Sequence, residues 1–260
     1  FYQRHRFFSL YSEPPGCLLD TEGWYSITPE AIADQIADRC RCDTVLDAFC
    51  GVGGNAIAFA KTCQRVIALD TDATRLALAR HNAQIYGVAD RIEFILTDFV
   101  AFAEAYLSRV DASKQSATGG SVNALGNNAS SRKIDVVFLS PPWGGPSYLQ
   151  GTSRPASPVK GSSDISPTEH PTYSLASIRP LPGDELFALS RRISRNVAYY
   201  LPRNTDLAEI GALVKEEDAL AAGKGKREKI EIEEEWMGNK LKALTCYFGG
   251  LAMGQGHLFD

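Results

Sequence analysis

Basic residues do not outnumber acidic ones in this chain: 27 Lys and Arg stand against 31 Asp and Glu, a formal net charge of -4. That balance excludes a protein that coats long nucleic acid with a basic face. A small phosphorylated ligand held by a few local cations stays possible. No apolar run approaches the roughly 18 residues that span a bilayer, so no transmembrane helix is expected. Histidine is scarce, with 4 residues. Cys40-Arg41-Cys42 is the one close cysteine pair, and no second pair or histidine cluster completes a zinc site, so no metal is expected. The other cysteines (Cys17, Cys50, Cys63, Cys246) are scattered, and all read as reduced intracellular thiols. Residues 1–8 lack the pattern of a secretory signal. With no initial Met, the chain is expected to be a domain excised from a longer protein.

What is present is an ordinary globular balance, 44% apolar and 22% charged over 260 residues. Such a chain buries one substantial core, with room for a small appendage. Residues 1–38 read as an N-terminal arm and helix packing over an active site. Thr28-Pro29-Glu30 supplies an N-cap, a first-position proline and an acidic first turn, and Ile32, Ala33 and Ile36 give that helix an apolar face. Strands are expected over 44–49, 65–70, 91–96, 134–139 and 196–201. They alternate with helices over 54–60, 73–86, 100–108, 183–193 and 207–214. Residues 229–236 and 240–248 pair as a closing hairpin across Met237-Gly238-Asn239. The pattern is an α/β fold with a doubly wound, mostly parallel seven-stranded sheet. Two stretches, 112–131 and 150–171, are rich in Ser, Gly, Asn, Thr and Pro. They read as flexible insertions in one α/β domain over 39–260.

The chemistry concentrates at strand ends. The apolar run 134–139 stops at Ser140-Pro141-Pro142-Trp143-Gly144-Gly145-Pro146, because neither Pro141 nor Pro142 can donate to a sheet ladder. The chain therefore leaves the sheet at a carboxyl end, where open α/β sheets bind ligands. It carries a hydroxyl (Ser140), carbonyls and one aromatic face (Trp143).

Between the first strand and its helix lies Asp47-Ala48-Phe49-Cys50-Gly51-Val52-Gly53-Gly54-Asn55. Its glycines let the backbone approach a ligand, and the helix start offers free amides. Read literally, Gly51 to Ala56 also satisfies the dinucleotide pattern G-x-G-x-x-[GA], which keeps a nicotinamide cofactor open. Three features favour S-adenosylmethionine. Asp47 would repel a pyrophosphate but can hold a cationic amine or sulfonium. Asp98 can accept from an adenine amine while Phe99 packs on the ring. The Pro-Pro-Trp loop has no role in dinucleotide binding. Under either reading Asp70, 23 residues after Asp47, takes two ribose hydroxyls.

Four stretches together resemble the trimethylguanosine synthase family: Asp47 to Asn55, Ser140 to Pro146, Gly23-Trp24-Tyr25-Ser26-Ile27-Thr28-Pro29-Glu30, and Leu201-Pro202-Arg203-Asn204. The likeness spans nearly the whole chain apart from the two insertions. It implies a Rossmann-like class I methyltransferase that dimethylates the exocyclic N2 of the 7-methylguanosine cap of small nuclear and nucleolar RNAs, giving the 2,2,7-trimethyl cap. It also implies a nuclear location (nucleolus or Cajal body), with the cytoplasm as a second place. By the same resemblance Thr28 lies against the cofactor, and the arm with Arg6 and Phe8 borders the cap site, as do Arg203 and Asn204. Phe8 has a second role open to it, stapling the arm down.

The residues themselves support this chemistry. N7-methylation makes guanine cationic, so an indole face such as Trp143 holds it more tightly than a neutral base, by ~1–2 kcal/mol. Pro142 lies in the same loop. The exocyclic amine is a weak nucleophile, and the Ser140 oxygen and Pro141 carbonyl can accept from it and align it for in-line attack. Lys240 and Lys242 read better as a solvated hairpin face than as phosphate ligands. Three alternatives stay open: another amino-methyltransferase (guanine N2, adenine N6 or a protein glutamine), which would share the cofactor site and the Pro-Pro-Trp loop, a nicotinamide oxidoreductase, and a non-catalytic cap-binding module. Protein recruiters are not legible in the sequence, and a monomer is expected.

Overall fold

The structure is a computed structural model that describes residues 2–118, 133–145, 172–214 and 228–253. Its strands are β1 (Thr44–Asp47), β2 (Arg65–Asp70), β3 (Ile92–Leu96), β4 (Val136–Leu139), β5 (Asn196–Pro202), β6 (Glu231–Met237) and β7 (Lys240–Phe248). Among the described residues these seven form one sheet in the order β3-β2-β1-β4-β5-β7-β6. The first five are parallel, while β7 runs antiparallel to both β5 and β6. The strand order reverses at β1, which has β2 on one side and β4 on the other. Its carboxyl end is thus the topological switch point where such sheets take ligands.

The helices are α1 (Arg4–Phe7), α2 (Gly23–Ser26), α3 (Glu30–Arg39), α4 (Gly54–Thr62), α5 (Ala73–Ile85), α6 (Phe99–Thr118), α7 (Gly183–Ile193) and α8 (Leu207–Ala212). Strand side chains alternate between two layers, as a sheet buried on both faces requires. Val45, Val66, Val136, Phe138 and Ala198 face the layer that holds Ile36, Phe59 and Leu76 of α3, α4 and α5. Leu46, Leu69, Val137, Leu139 and Tyr199 face Phe99, Leu186 and Ile210 of α6, α7 and α8. The doubly wound α/β expectation holds. No helix among the described residues is long and apolar enough to cross a membrane.

Three local expectations are corrected. The first strand ends at Asp47, because Ala48 and the residues after it turn out of the sheet. Helix α6 continues past 108 into the stretch read as the first insertion, reaching Thr118. Ala, Ser and Lys there have enough helix propensity to extend a helix already started. The rest of that insertion, and the whole of the second, lie outside the described residues. Finally, Thr28 does not cap α3. The cap position falls on Pro29, with no side-chain bond, and the Thr28 hydroxyl is used elsewhere.

The N-terminal arm is fastened to the same core. Phe8 is 1% exposed and packs against Tyr86, ring centroids 5.9 Å apart. Around it, Glu30 Oε2 accepts from the Ser9 amide (2.5 Å) and the Tyr86 hydroxyl (3.1 Å), and Lys61 pairs with Glu30 Oε1 at 3.1 Å. The burial of Phe8 is what the stapling role expected for it requires. At the far end of the sheet, Arg39 on α3 clamps the hairpin. It bonds Glu231 (3.1 Å), Glu233 (2.8 Å) and the Leu251 carbonyl, and lies over the Tyr247 ring at 4.1 Å. Truncating Phe8 removes a fully buried ring, so Phe8→Ala is expected to cost about 3–5 kcal/mol in denaturant unfolding. A loss below about 1 kcal/mol would mean that the arm is not anchored as described.

Candidate active site

The site is built where β1, β2 and β4 end. Asp47, the last residue of β1, is 0% exposed. Its Oδ1 accepts a long bond from the Phe49 amide (3.4 Å), and its Oδ2 has no hydrogen-bond partner among the described residues. The Ala48 amide is used by the Phe138 carbonyl (3.1 Å), which locks the ends of β1 and β4 together. Gly51 follows at φ +54, and a Cβ built on it would meet nothing within 4 Å. That side of the turn is open. Gly53 sits at φ +93 for a different reason: a Cβ there would press on Ala79 Cβ at 3.0 Å, so its role is close packing of α5 against the turn.

Asp70, at the end of β2, holds the turn in shape. Its Oδ2 accepts from the Gly51 amide (3.0 Å) and its Oδ1 from the Asp72 amide (2.8 Å), leaving lone pairs on each oxygen for a ligand. The opposite wall comes from the N-terminal segment. Ile27 lies against Gly54, where an added Cβ would meet its side chain at 3.0 Å. The buried Thr28 hydroxyl accepts from Asn55 Nδ2 at 3.0 Å. Asn55 Oδ1 is then left buried without a partner among the described residues. Asn82 of α5, which the sequence reading missed, stitches this segment down through Leu18 and the Val52 carbonyl (2.9 Å). Its isolated amide in an apolar helix face was the available signal.

Beyond β3, Asp98 is exposed and caps α6, accepting from the Ala101 amide at 2.8 Å. The Thr97 amide donates to the Asp70 carbonyl (3.1 Å), so Asp98 stands beside the β2 end as expected. Phe99 is corrected. It opens α6 and turns into the core at 1% exposure, behind Phe49 at 6.1 Å. Phe49 is the partly exposed ring of this pair, and its place inside the glycine motif was the signal for it.

The loop after β4 closes the site from the other side. The Ser140 hydroxyl donates to the Phe49 carbonyl at 3.4 Å, which turns the lone pairs of the oxygen away from Phe49. Pro141 is buried and Pro142 exposed. Trp143 is half-buried rather than free-standing: its indole leans on Tyr200 of β5, centroids 5.3 Å apart and planes 31° apart. Tyr173 then ties two candidate segments together. Its hydroxyl donates to the Trp143 carbonyl (3.4 Å), and its amide donates to the Asn204 carbonyl (2.7 Å). Arg203 is exposed, with Nη1 on the Leu241 carbonyl at 3.3 Å. Arg6 is exposed on α1. The bonds that fasten its arm run to Glu30 and Tyr86, not to these loops.

The buried polar atoms test whether a cationic ligand fits. Asp47 Oδ2 is an acceptor with no donor, and the open side of Gly51 adjoins it in the same turn. A ligand that brings an ammonium or sulfonium group fits such a site; an anionic one does not. Burial pushes the Asp47 carboxyl up to about 7; the Phe49 amide opposes this and the nearby Asp70 charge adds to it. Since this lies above the ordinary 3.8, the folded state keeps a proton that the unfolded chain releases between pH about 4 and 7. The contribution of Asp47 to stability therefore falls as pH rises through that window. Asp47→Asn is expected to stabilise the free protein at pH 8, on the order of 1–4 kcal/mol. The gain should vanish below pH 4 in urea melts, and a variant less stable than wild type at pH 8 would contradict this.

Comparison with known proteins agrees with this geometry. The family described as RNA cap guanine-N2 methyltransferase matches residues 42–153 and 156–251. A trimethylguanosine synthase of Schizosaccharomyces pombe is 35% identical over 256 residues, covering 94% of this chain and 82% of that protein. One from Saccharomyces cerevisiae is 32% identical over 215 residues, covering 80% of this chain and 55% of that protein. Among solved structures, a protein of Porphyromonas gingivalis W83 assigned to the methyltransferases matches with TM-score 0.61 at 10% identity, over 96% of this chain and 47% of that one. That likeness shows the fold alone, a Rossmann-like methyltransferase sheet. By sequence, over most of its length, this chain belongs to the RNA cap guanine-N2 methyltransferase family.

Proposed function

We propose that the chain transfers methyl groups from S-adenosylmethionine to the exocyclic N2 of a 7-methylguanosine cap, twice, to give the 2,2,7-trimethyl cap of small nuclear and nucleolar RNAs in the nucleus. One observation carries the reading: the Ser140–Trp143 loop and the Asp47 turn meet at adjacent strand ends, joined by the Ser140–Phe49 bond. An acceptor for an amine, an aromatic residue and a buried carboxylate thus stand at neighbouring strand ends. Family membership sets aside the dinucleotide reading of the glycine turn and does not favour an adenine or glutamine substrate.

S-adenosylmethionine, when bound, supplies an electrophilic methyl group on a sulfonium centre. Asp47, Asp70, Asn55 and Asp98 are the residues that would hold it. Asp47 meets the cationic end, since its Oδ2 needs a donor, and Asp70 keeps acceptor capacity for hydroxyls. Thr28 acts through Asn55, holding its amide and leaving Oδ1 without a partner among the described residues. On the substrate side, Trp143 braced by Tyr200 is the platform for the cationic base. Bracing lowers the entropy lost when the ring is covered. Ser140, its proton directed at Phe49, keeps oxygen lone pairs for the amine hydrogens, and the Pro141 carbonyl is a second acceptor. With no strong base in this set, rate comes mainly from alignment of nitrogen and methyl. Arg203 and Asn204 are the residues for the phosphates.

Methyl transfer from labelled S-adenosylmethionine is expected with m7GpppG and not with GpppG, with products heavier by one and two methyls on N2. Equal transfer to both would mean that the positive ring is not selected. Trp143→Ala is expected to raise the KM for m7GpppG about 5- to 30-fold, the equivalent of ~1–2 kcal/mol. Trp143→Phe should recover part of this. Calorimetry on Asp47→Asn should show loss of S-adenosylmethionine binding in the variant whose free form is the more stable.

A further inference from the structure

The amino end of the sheet, away from the site described above, holds two thiols in contact. Cys42 Sγ and Cys63 Sγ are 3.9 Å apart, and both cysteines are free. The sheet sets this contact. Cys42 lies two residues before Thr44, which opens β1, and Cys63 two residues before Arg65, which opens β2; Thr44 and Arg65 are paired in the parallel register. That register runs on past the strand ends, since the Gln64 amide donates to the Cys42 carbonyl at 3.4 Å. Cys63 is itself extended, at φ -104° and ψ 157°. The two residues thus stand one strand spacing apart, about 4.8 Å. A disulfide bridges Cα atoms separated by roughly 4.4–6.8 Å.

The pair divides as a reactive dithiol requires. Cys42 is partly exposed and open to a small reagent, whereas Cys63 is 3% exposed. Cys63 Sγ also reaches the Cys40 carbonyl at 3.5 Å and the Thr62 hydroxyl at 3.7 Å. The hydrogen bond from Cys42 holds the Cys63 thiol below its ordinary range; burial opposes this, while the Thr62 hydroxyl and the Arg41 charge add to it. The same bond raises Cys42. The pair therefore gives up one proton readily and shares the second between its sulfurs, which makes the thiolate available at the partly exposed position.

We propose that Cys42 and Cys63 form an oxidation site, a dithiol that a hydroperoxide converts into a reversible disulfide between the starts of β1 and β2. The Cys42 thiolate attacks the terminal peroxide oxygen and the O–O bond breaks; the departing oxygen takes a proton, and Cys42 is left as a sulfenic acid. The Cys63 thiolate then attacks that sulfur and displaces hydroxide, which leaves as water with the second thiol proton. In sum, two thiols and one hydroperoxide give a disulfide, an alcohol (water, from hydrogen peroxide) and a water. The sulfurs give up two electrons and the peroxide takes them. The bond closes a loop over residues 43–62, which hold β1, the glycine turn and nearly all of α4. Asp47 is five residues from Cys42 along β1, roughly 17 Å, so the link leaves the strand ends of the site untouched. The inference stands independently of the methylation reading.

The test treats the whole chain with hydrogen peroxide and counts thiols after denaturation, in wild type, Cys42→Ser and Cys63→Ser. Wild type is expected to lose two of its six thiols and the mass of two hydrogens, with Cys42 joined to Cys63 in the non-reduced peptide map. Dithiothreitol should restore both thiols. The oxidised form should melt roughly 5 °C or more above the reduced one, because the closed loop removes freedom from the unfolded chain. In either serine variant the link and the gain in melting temperature should both be absent. All six thiols surviving in wild type, a link through any other cysteine, or a Cys42–Cys63 link that lowers the melting temperature would overturn the assignment.

Discussion

A carboxylate with no exposure and one unused oxygen is the constraint on which the rest of this structure depends. Asp47 is placed there by the sheet: β1 is the central strand of the parallel set, closed on both sides by β2 and β4, and its last residue has nowhere to reach water. A buried carboxylate without enough donors is costly. Its proton affinity rises accordingly, to about 7. The surrounding atoms do not relieve it. Asp70 takes the Gly51 amide, Phe138 takes the Ala48 amide, and only the long Phe49 bond remains for Asp47. An orphaned buried acceptor of this kind suits a ligand that brings positive charge.

The second half of the site is organised by the prolines. Because Pro141 and Pro142 cannot continue the ladder, the chain must leave the sheet next to the Asp47 turn. The partners it then finds are aromatic: Tyr200 under Trp143, and Tyr173 bonded to the Trp143 carbonyl. Tyr173 also joins the loop to the Pro-Arg-Asn turn, its amide donating to the Asn204 carbonyl. The donor and acceptor sides are thereby fixed to neighbouring strands of a rigid sheet, which is what catalysis by alignment requires.

Much of this was legible in the sequence because it is local. Strand β2 and helix α7 match their expected bounds residue for residue, since a β-branched run ending in Asp, and a proline followed by acidic residues, mark their own limits. The placement of Asp47, Asp70, Asp98 and Ser140 at or just past strand ends was legible because each follows an apolar run. What was missed depends on partners distant in the chain. Phe99 follows Asp98 and looked available to a ligand, but the start of α6 there turns it inward behind Phe49. Thr28 has every local feature of a cap, yet Asn55, 27 residues away, claims its hydroxyl. Phe8 is buried by Tyr86, and the Arg39 clamp on the hairpin spans about three-quarters of the chain. No local pattern encodes such pairings.

The most direct test of this account is the pH dependence of S-adenosylmethionine affinity between pH 5.5 and 8.5. If the Asp47 carboxylate must be ionised to hold the cationic donor, binding should tighten as pH rises, by up to about tenfold per unit below 7, and level off above it. An affinity that is flat across this range, or that tightens toward acid, would contradict the claim that Asp47 is the buried charge the site is built around.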